Sequence, residues 1–282
     1  MIVTETRRGL SEALSAPREA GSRVALVPTM GYLHEGHLSL VGLARADSDF
    51  LAVSVFVNPL QFGPDEDLDR YPRDLDRDLS ALRAQGVDLV FHPCVDEMYL
   101  SGEPRITVDP GEMGRVLCGA YRPVHFRGVL TVVARLFGLF SPTVAFFGQK
   151  DYQQLTLVRR MVQDLELGVE VLFGPTVREE DGLALSSRNV FLSPEERRDA
   201  PGLVRALALV QEAFSRGERS GAALRHILEQ EAGSYPRLRM QYGEVVHPET
   251  LEPVDPVFSG SVVAVAGFCG ATRLIDNRIL EG

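Results

Sequence analysis

The chain has no apolar stretch long enough to cross a bilayer. Its start, Met1-Ile2-Val3-Thr4-Glu5, lacks the basic residues and apolar core of a secretory signal. Cysteine is scarce: Cys94, Cys118 and Cys269 are three in 282 residues, too few and too scattered for a disulfide framework or a zinc knuckle. Basic charge is in deficit, with 29 Lys and Arg against 39 Asp and Glu, a formal net charge of −10 and a pI near 5.2. A general nucleic-acid surface needs a basic face, so that class of function is set aside, although a local basic pocket for a small anion is not. Neither Gly-x-Gly-x-x-Gly nor Gly-x-x-x-x-Gly-Lys-Ser/Thr occurs, which removes the main support for a dinucleotide dehydrogenase or a P-loop enzyme. Internal repeats and low-complexity linkers are absent as well. These absences predict a soluble cytoplasmic protein with reduced thiols and neither a membrane nor a nucleic acid as partner.

What is present is an ordinary globular balance, 45% hydrophobic and 24% charged, in a chain long enough for one large domain or two unequal ones. Over the first 175 residues, β-branched apolar runs alternate with helical patterns. Strands are predicted at 24–28, 50–57, 89–92, 144–147 and 169–173, and helices near 73–85, 124–140 and 152–164. This alternation predicts an α/β fold, a doubly wound parallel sheet of Rossmann-like type, over residues 1–175. The style changes after Pro175. Ser193-Pro194-Glu195-Glu196 reads as a capping box, helices follow at about 202–216 and 221–232, and the tail alternates at 239–246, 262–268 and 273–279. Residues 176–282 are therefore expected to form a smaller α+β domain, lid-like, with a small antiparallel sheet. The acidic run Asp65-Glu66-Asp67-Leu68-Asp69 reads as a solvated loop.

Ligands of parallel sheets bind at the carboxyl ends of the strands, and three motifs fall there: 28–37 after the first strand, Asn58–Gly63 after the second and Gly148–Gln154 after Phe147. Pro28-Thr29-Met30-Gly31-Tyr32-Leu33-His34-Glu35-Gly36-His37 joins the strand at Val24 to a helix. His34 and His37, three residues apart, can share one face of the first helical turn, where unpaired N–H groups and the helix dipole favour phosphate. Gly36 permits a close backbone approach. Taken alone, two such histidines also fit capping residues or a metal pair, but their place after a strand favours a nucleotide. Gly148-Gln149-Lys150-Asp151 puts an ammonium at a second helix start, and Leu185-Ser186-Ser187-Arg188 supplies two hydroxyls and a guanidinium at the domain junction. Gln61 and Gln154 are neutral amides on the same predicted edge, suited to a substrate with hydroxyl and carboxylate groups.

The His-x-Gly-His block is the signature of the adenylyl-transferring superfamily that includes class I aminoacyl-tRNA synthetases, and Ser186-Ser187-Arg188 resembles the loop that partners it there. More specifically, the stretches 28–40, 54–64, 70–79, 119–133, 144–155, 181–189 and 271–277 (Ala-Thr-Arg-Leu-Ile-Asp-Asn) together resemble the pantothenate synthetase (pantoate–β-alanine ligase) family, in order and over nearly the whole chain. The resemblance implies that ATP and pantoate form pantoyl adenylate with release of pyrophosphate, after which β-alanine displaces AMP. It implies an ATP site at Met30, Gly31, Tyr32, Leu33, His34, Glu35, Gly36 and His37, completed by Gly148, Gln149, Lys150, Asp151, Val177, Leu185, Ser186, Ser187 and Arg188. His37 would be the proton donor, and His34, Lys150, Ser186, Ser187 and Arg188 would act with it on the phosphates. Gln61 and Gln154 would hold pantoate, with Gln61 also near β-alanine, and Asp78 would help to place Mg2+. A homodimer is implied too. Gln149, Leu185 and Arg77 stand where glutamate, methionine and an acidic residue are common in the family. The rival readings are a nucleotidyltransferase for another acid and a catalytically silent nucleotide sensor.

Overall fold

Val24-Ala25-Leu26-Val27 and Leu51-Ala52-Val53 carry no polar side chain on either face, the composition of strands covered on both sides. In the computed structural model, which describes residues 1–64, 66–100 and 102–282, these runs lie at the centre of a six-stranded sheet. Its strands are β1 (Ile2–Thr4), β2 (Val24–Thr29), β3 (Phe50–Val55), β4 (Leu89–Phe91), β5 (Val144–Gly148) and β6 (Glu170–Gly174). Every pairing is parallel, in the order β1-β4-β3-β2-β5-β6. The helices over this part of the chain are α1 (Arg7–Glu19), α2 (Glu35–Ala46), α3 (Leu75–Ala84), α4 (Val95–Met98), α5 (Cys118–Tyr121), α6 (His125–Phe140) and α7 (Tyr152–Asp164).

Alternation along the strands divides the apolar residues between two faces. Ala25, Val27, Leu51, Val53, Val90 and Phe146 pack with Leu40, Val41 and Ala44 of α2 and with Leu82 of α3. On the opposite face, Phe91 meets Phe140 of α6 edge-on with ring centroids 5.8 Å apart, and α6 lies beside α1. The sheet is doubly wound, as the alternation of strands and helices predicts. The chain leaves β2 toward β3 and β4, then returns to β5 on the other side of β2. The carboxyl ends of β2 and β5 are thus neighbours at the topological switch point, where ligands of such sheets bind.

Two compact units are distinguished: residues 1–115, 119–148 and 157–175, and residues 116–118, 149–156 and 176–282. The second contains α8 (Pro194–Asp199), α9 (Gly202–Ser215) and α10 (Gly221–Gly233). Its strands β7 (Leu238–Val246), β8 (Val262–Cys269) and β9 (Thr272–Ile279) form an antiparallel sheet in sequence order. The Ser193 capping box opens α8, with the Ser193 hydroxyl accepting the Glu196 N–H and the Glu196 carboxylate accepting the Ser193 N–H. Leu203, Leu207 and Phe214 of α9 and Leu224 and Leu228 of α10 bury against Val263 and Val265 of β8.

Three features depart from the sequence reading. The edge strand β1 and the helix α1 were not expected: β1 has only three residues, two of them exposed, and α1 fully buries only Leu10 and Leu14. Strand boundaries move by a residue or two, so that the second strand stops at Val55 before the turn at Pro59–Gln61. Of the acidic run, Asp65 lies outside the described residues, and Glu66 is not simply solvated but pairs with Arg122. Among the described residues no helix is long and apolar enough to cross a membrane, and all three cysteines are free.

Helix α6 crosses the Pro59–Gln61 turn so closely that a Cβ on Gly128 would stand 2.3 Å from the Leu60 carbonyl oxygen and 2.6 Å from the Gln61 Cα. Backbone atoms cannot swing aside as the end of a side chain can. Gly128→Ala is therefore expected to destabilise the protein by about 1–3 kcal/mol. Gly138→Ala, on the same helix with nothing within 4 Å of its Cβ position, should instead stabilise by up to about 1 kcal/mol. Thermal melts compare the two variants; a Gly128→Ala protein melting at or above the wild type would contradict the close approach.

Candidate active site

The segment after β2 is shaped before it reaches the histidines. Gly31 and Tyr32 both have left-handed backbone, with φ of +80° and +50°. Gly31 has a second reason to lack a side chain, since its Cβ would stand 3.0 Å from Val55 Cγ1 and 3.1 Å from Asp78 Oδ2. Asp78, buried on α3, holds the loop: one carboxylate oxygen accepts the Tyr32 N–H and the other the Leu33 N–H, each at 2.7 Å. Burial pushes the Asp78 carboxyl above its ordinary range, and the two N–H donors partly offset this. Its neighbour Arg77 donates to the Leu33 carbonyl (2.9 Å) and lies over the Tyr32 ring, 4.9 Å from its centroid.

His34 then caps α2. Its Nδ1 accepts the Gly36 N–H at 3.1 Å, while His37 Nδ1 accepts the His34 N–H at 3.3 Å. The two rings form a reciprocal capping box with imidazoles in place of the usual serine and glutamate, their centroids 4.1 Å apart. The capping reading and the nucleotide reading are thus compatible. A backbone N–H can only donate, so each Nδ1 must be unprotonated and each neutral ring carries its proton on Nε2. The fold therefore makes both imidazoles Nε2–H donors at the N-terminus of a 12-residue helix.

The same geometry bears on magnesium. Asp78 commits both oxygens to the loop, and among the described residues no three His, Cys, Asp or Glu side chains are grouped so as to hold a metal ion. These residues do not build a protein cage for Mg2+.

Gln61 sits in the turn after β3, 7% exposed, and its orientation is dictated from behind. Asn58 Nδ2 donates to the Gly128 carbonyl (3.1 Å) and to Gln61 Oε1 (3.1 Å). Asn58 Oδ1 accepts the Leu60 N–H (3.3 Å) and the Tyr99 hydroxyl (2.9 Å). Gly128 O can only accept and Leu60 N–H can only donate, so Asn58 has one possible orientation. Burial pushes the Tyr99 phenol up, keeping it protonated as a donor. Gln61 Oε1 must therefore accept from Asn58, and the amide turns its Nε2 outward, 3.0 Å from the Met30 sulfur. The Gln61 backbone carbonyl is held as well, by His125 Nδ1 at 2.9 Å and Arg122 Nη2 at 3.4 Å.

In the second unit, Gln149, Lys150 and Asp151 form a single 3-10 turn before α7. Of the two adjacent glutamines that follow, Gln153 is fully engaged: its Oε1 accepts the Cys118 N–H and its Nε2 donates to the Val116 carbonyl. Gln154 is half-buried on the same first turn. Val177 accepts the Leu185 N–H (3.0 Å), closing a narrow loop that leads into Ser186, whose hydroxyl accepts the Arg188 N–H at 3.3 Å. Ser187 is buried, and β9 packs against both this segment and the 149–151 turn.

Within the first unit the fold thus brings Met30 to His37 together with Gln61 and Asp78; within the second it gathers Lys150 with Ser186 to Arg188 around β9. Four residues that orient these groups have no role of their own in the sequence reading: Asn58 and Tyr99 in the first unit, Asp276 and Asn277 in the second. The Asn58-Pro59 dipeptide is a turn signal that could have flagged the first. Nothing local points to Tyr99, 41 residues from its partner.

Comparison with known proteins shows the family. Residues 2–279 match the family described as pantoate-beta-alanine ligase. The chain is 50% identical over 279 residues to a pantothenate synthetase of Thermoanaerobacter pseudethanolicus, spanning 99% of this chain and 98% of that protein. A crystal structure of pantothenate synthetase from Thermus thermophilus superposes with a TM-score of 0.94 at 52% identity, covering 100% of both chains. A pantoate-beta-alanine ligase from Francisella tularensis, complexed with beta-gamma ATP and β-alanine, superposes with a TM-score of 0.80 at 29% identity, over 99% of this chain and 97% of that one. Fold and sequence agree from end to end, and the chain belongs to the pantoate–β-alanine ligase family, enzymes that condense pantoate with β-alanine in an ATP-dependent reaction.

Proposed function

We propose that this chain carries out its family's reaction, the ATP-dependent condensation of pantoate with β-alanine to pantothenate, through a pantoyl-adenylate intermediate. The observation that carries the reading is the pair of imidazoles locked as Nε2–H donors at the start of α2. In the first half-reaction a pantoate carboxylate oxygen bonds to the α-phosphorus of ATP, and the bond to the bridging oxygen breaks to release pyrophosphate. Negative charge grows on phosphate oxygens, so catalysis depends on positioned donors. His34, His37, Lys150, Ser186, Ser187 and Arg188 supply them, His37 acting as proton donor, while Met30 to His37, Gly148 to Asp151, Val177 and Leu185 to Arg188 bind the nucleotide. In the second half-reaction the β-alanine amine attacks the acyl carbon, AMP departs with the former carboxylate oxygen, and the amine loses its proton.

Gln61 and Gln154 hold pantoate. The orientation of Gln61 supports a definite role: it offers N–H and therefore addresses an acceptor on pantoate, a carboxylate or hydroxyl oxygen. Magnesium would enter with the ATP phosphates, and Asp78 would act on it only through the loop it holds. The reading also includes a homodimer in the cytoplasm; the family resemblance supports the first and the three free cysteines the second. Light scattering measures the mass.

Pantoate-dependent exchange of labelled pyrophosphate into ATP tests the function, and exchange supported equally by other hydroxy acids, or by none, would overturn it. In this assay Lys150→Ala is expected to lose about a hundred- to a thousandfold, roughly 2.7–4 kcal/mol of transition-state stabilisation. Near-normal exchange by a folded Lys150→Ala enzyme would remove the lysine from the phosphate site. Gln61→Glu keeps the shape of the side chain but replaces its outward donor with an acceptor. It should raise the KM for pantoate about ten- to a hundredfold while the KM for ATP stays within about twofold. Unchanged pantoate binding would mean that the substrate meets no donor at Gln61.

A further inference from the structure

The last two side chains of the stretch 271–277 act on two different loops of the second unit. Asn277, 3% exposed on β9, donates through Nδ2 to the carbonyls of Gln149 (3.0 Å) and Lys150 (2.9 Å). Within each trans peptide unit the C=O and the following N–H point in opposite directions. Fixing these two carbonyls on Asn277 therefore aims the N–H groups of Lys150 and Asp151 away from β9, with the Lys150 side chain on the same turn. Asp276, 5% exposed, takes the Arg178 guanidinium in a bidentate pair at 2.6 and 2.9 Å. Arg178 also donates to the Gly182 carbonyl (3.0 Å), which fixes the narrow loop between Val177 and Leu185 that delivers Ser186 to Arg188. Asp276 Oδ1 accepts the Asn277 N–H at 2.8 Å, locking the two residues to each other.

We propose that Asp276 and Asn277 are positioning residues for the nucleotide. Adjacent on one strand, they set the register of the Lys150 turn against the Ser186–Arg188 segment, so that phosphate donors from two separate loops keep a fixed spacing. Successive strand residues point to opposite faces, which is how one dipeptide reaches both loops. The inference deepens, and rests on, the ATP reading of Lys150 and of Ser186 to Arg188.

A double-mutant cycle tests it. Asn277→Ala and Lys150→Ala are made singly and together and assayed by pantoate-dependent ATP–pyrophosphate exchange. If Asn277 acts through the Lys150 turn, Asn277→Ala alone lowers kcat/KM for ATP about tenfold or more, but costs less than about threefold when Lys150 is already alanine. The KM for pantoate stays within about twofold of wild type, since the pantoate contacts are untouched. A companion cycle of Asp276→Asn with Arg188→Ala is expected to couple in the same way. Equal losses in both backgrounds would make these residues merely structural and overturn the proposal, as would wild-type kcat/KM for ATP in Asn277→Ala. Should Asn277→Ala fail to fold, Asn277→Asp replaces it in the cycle, being isosteric yet without the two donors. No exchange by the wild-type enzyme would instead remove the ATP reading, and this inference with it.

Discussion

Two hydrogen bonds of 2.7 Å, from the Tyr32 and Leu33 N–H groups to the buried Asp78 carboxylate, hold the segment on which the first unit's site depends. Left-handed backbone at Tyr32 is unfavourable for any residue but glycine, so the loop needs an outside partner to keep it. Asp78 is that partner, and Arg77 beside it closes the loop from the other side through Leu33 and the Tyr32 ring. Once Leu33 is fixed, the next residue is delivered as the cap of α2, and the reciprocal bonds of His34 and His37 follow. A carboxylate that resembles a metal-placing residue by its position in the sequence thus does its work on the backbone.

A single rule recurs through both units: backbone groups, whose donor or acceptor character is fixed, decide which way ambiguous side chains face. At the histidines, N–H groups fix the tautomer. At Asn58, one N–H and one carbonyl fix an amide, which fixes Gln61 in turn. In the second unit the direction reverses, and the Asn277 amide fixes the peptide groups of Gln149 and Lys150. Each arrangement leaves oriented N–H donors, the kind of group that stabilises negative charge building on phosphate oxygens. The formal net charge of −10 is no obstacle to binding an anion, because oriented N–H groups and a few cations can supply positive character locally.

Much of this was legible in the residues. Strand–helix alternation and the uniformly apolar runs at Val24 and Phe50 point to a two-sided parallel sheet, and the segments 28–37 and 148–154 do follow strand ends. Strand order was not legible, since nothing local says that β4 lies between β1 and β3. The edge strand β1 escaped because it is short and half uncovered, and α1 because its buried face is only Leu10 and Leu14. Positions that work by orienting others were the least legible. Asn58, Tyr99, Asp276 and Asn277 act through partners up to 128 residues away, and such pairings exist only once the chain has folded.

In the proposed reaction a pantoate carboxylate oxygen attacks the α-phosphorus of ATP. Pantoate carrying oxygen-18 in its carboxylate, turned over with ATP and β-alanine, reports this directly by mass spectrometry of the products. One labelled oxygen is expected to pass to AMP while the other stays in the amide carbonyl of pantothenate. Label in pyrophosphate or orthophosphate, with unlabelled AMP, would mean that another phosphorus is attacked and would contradict the proposed reaction.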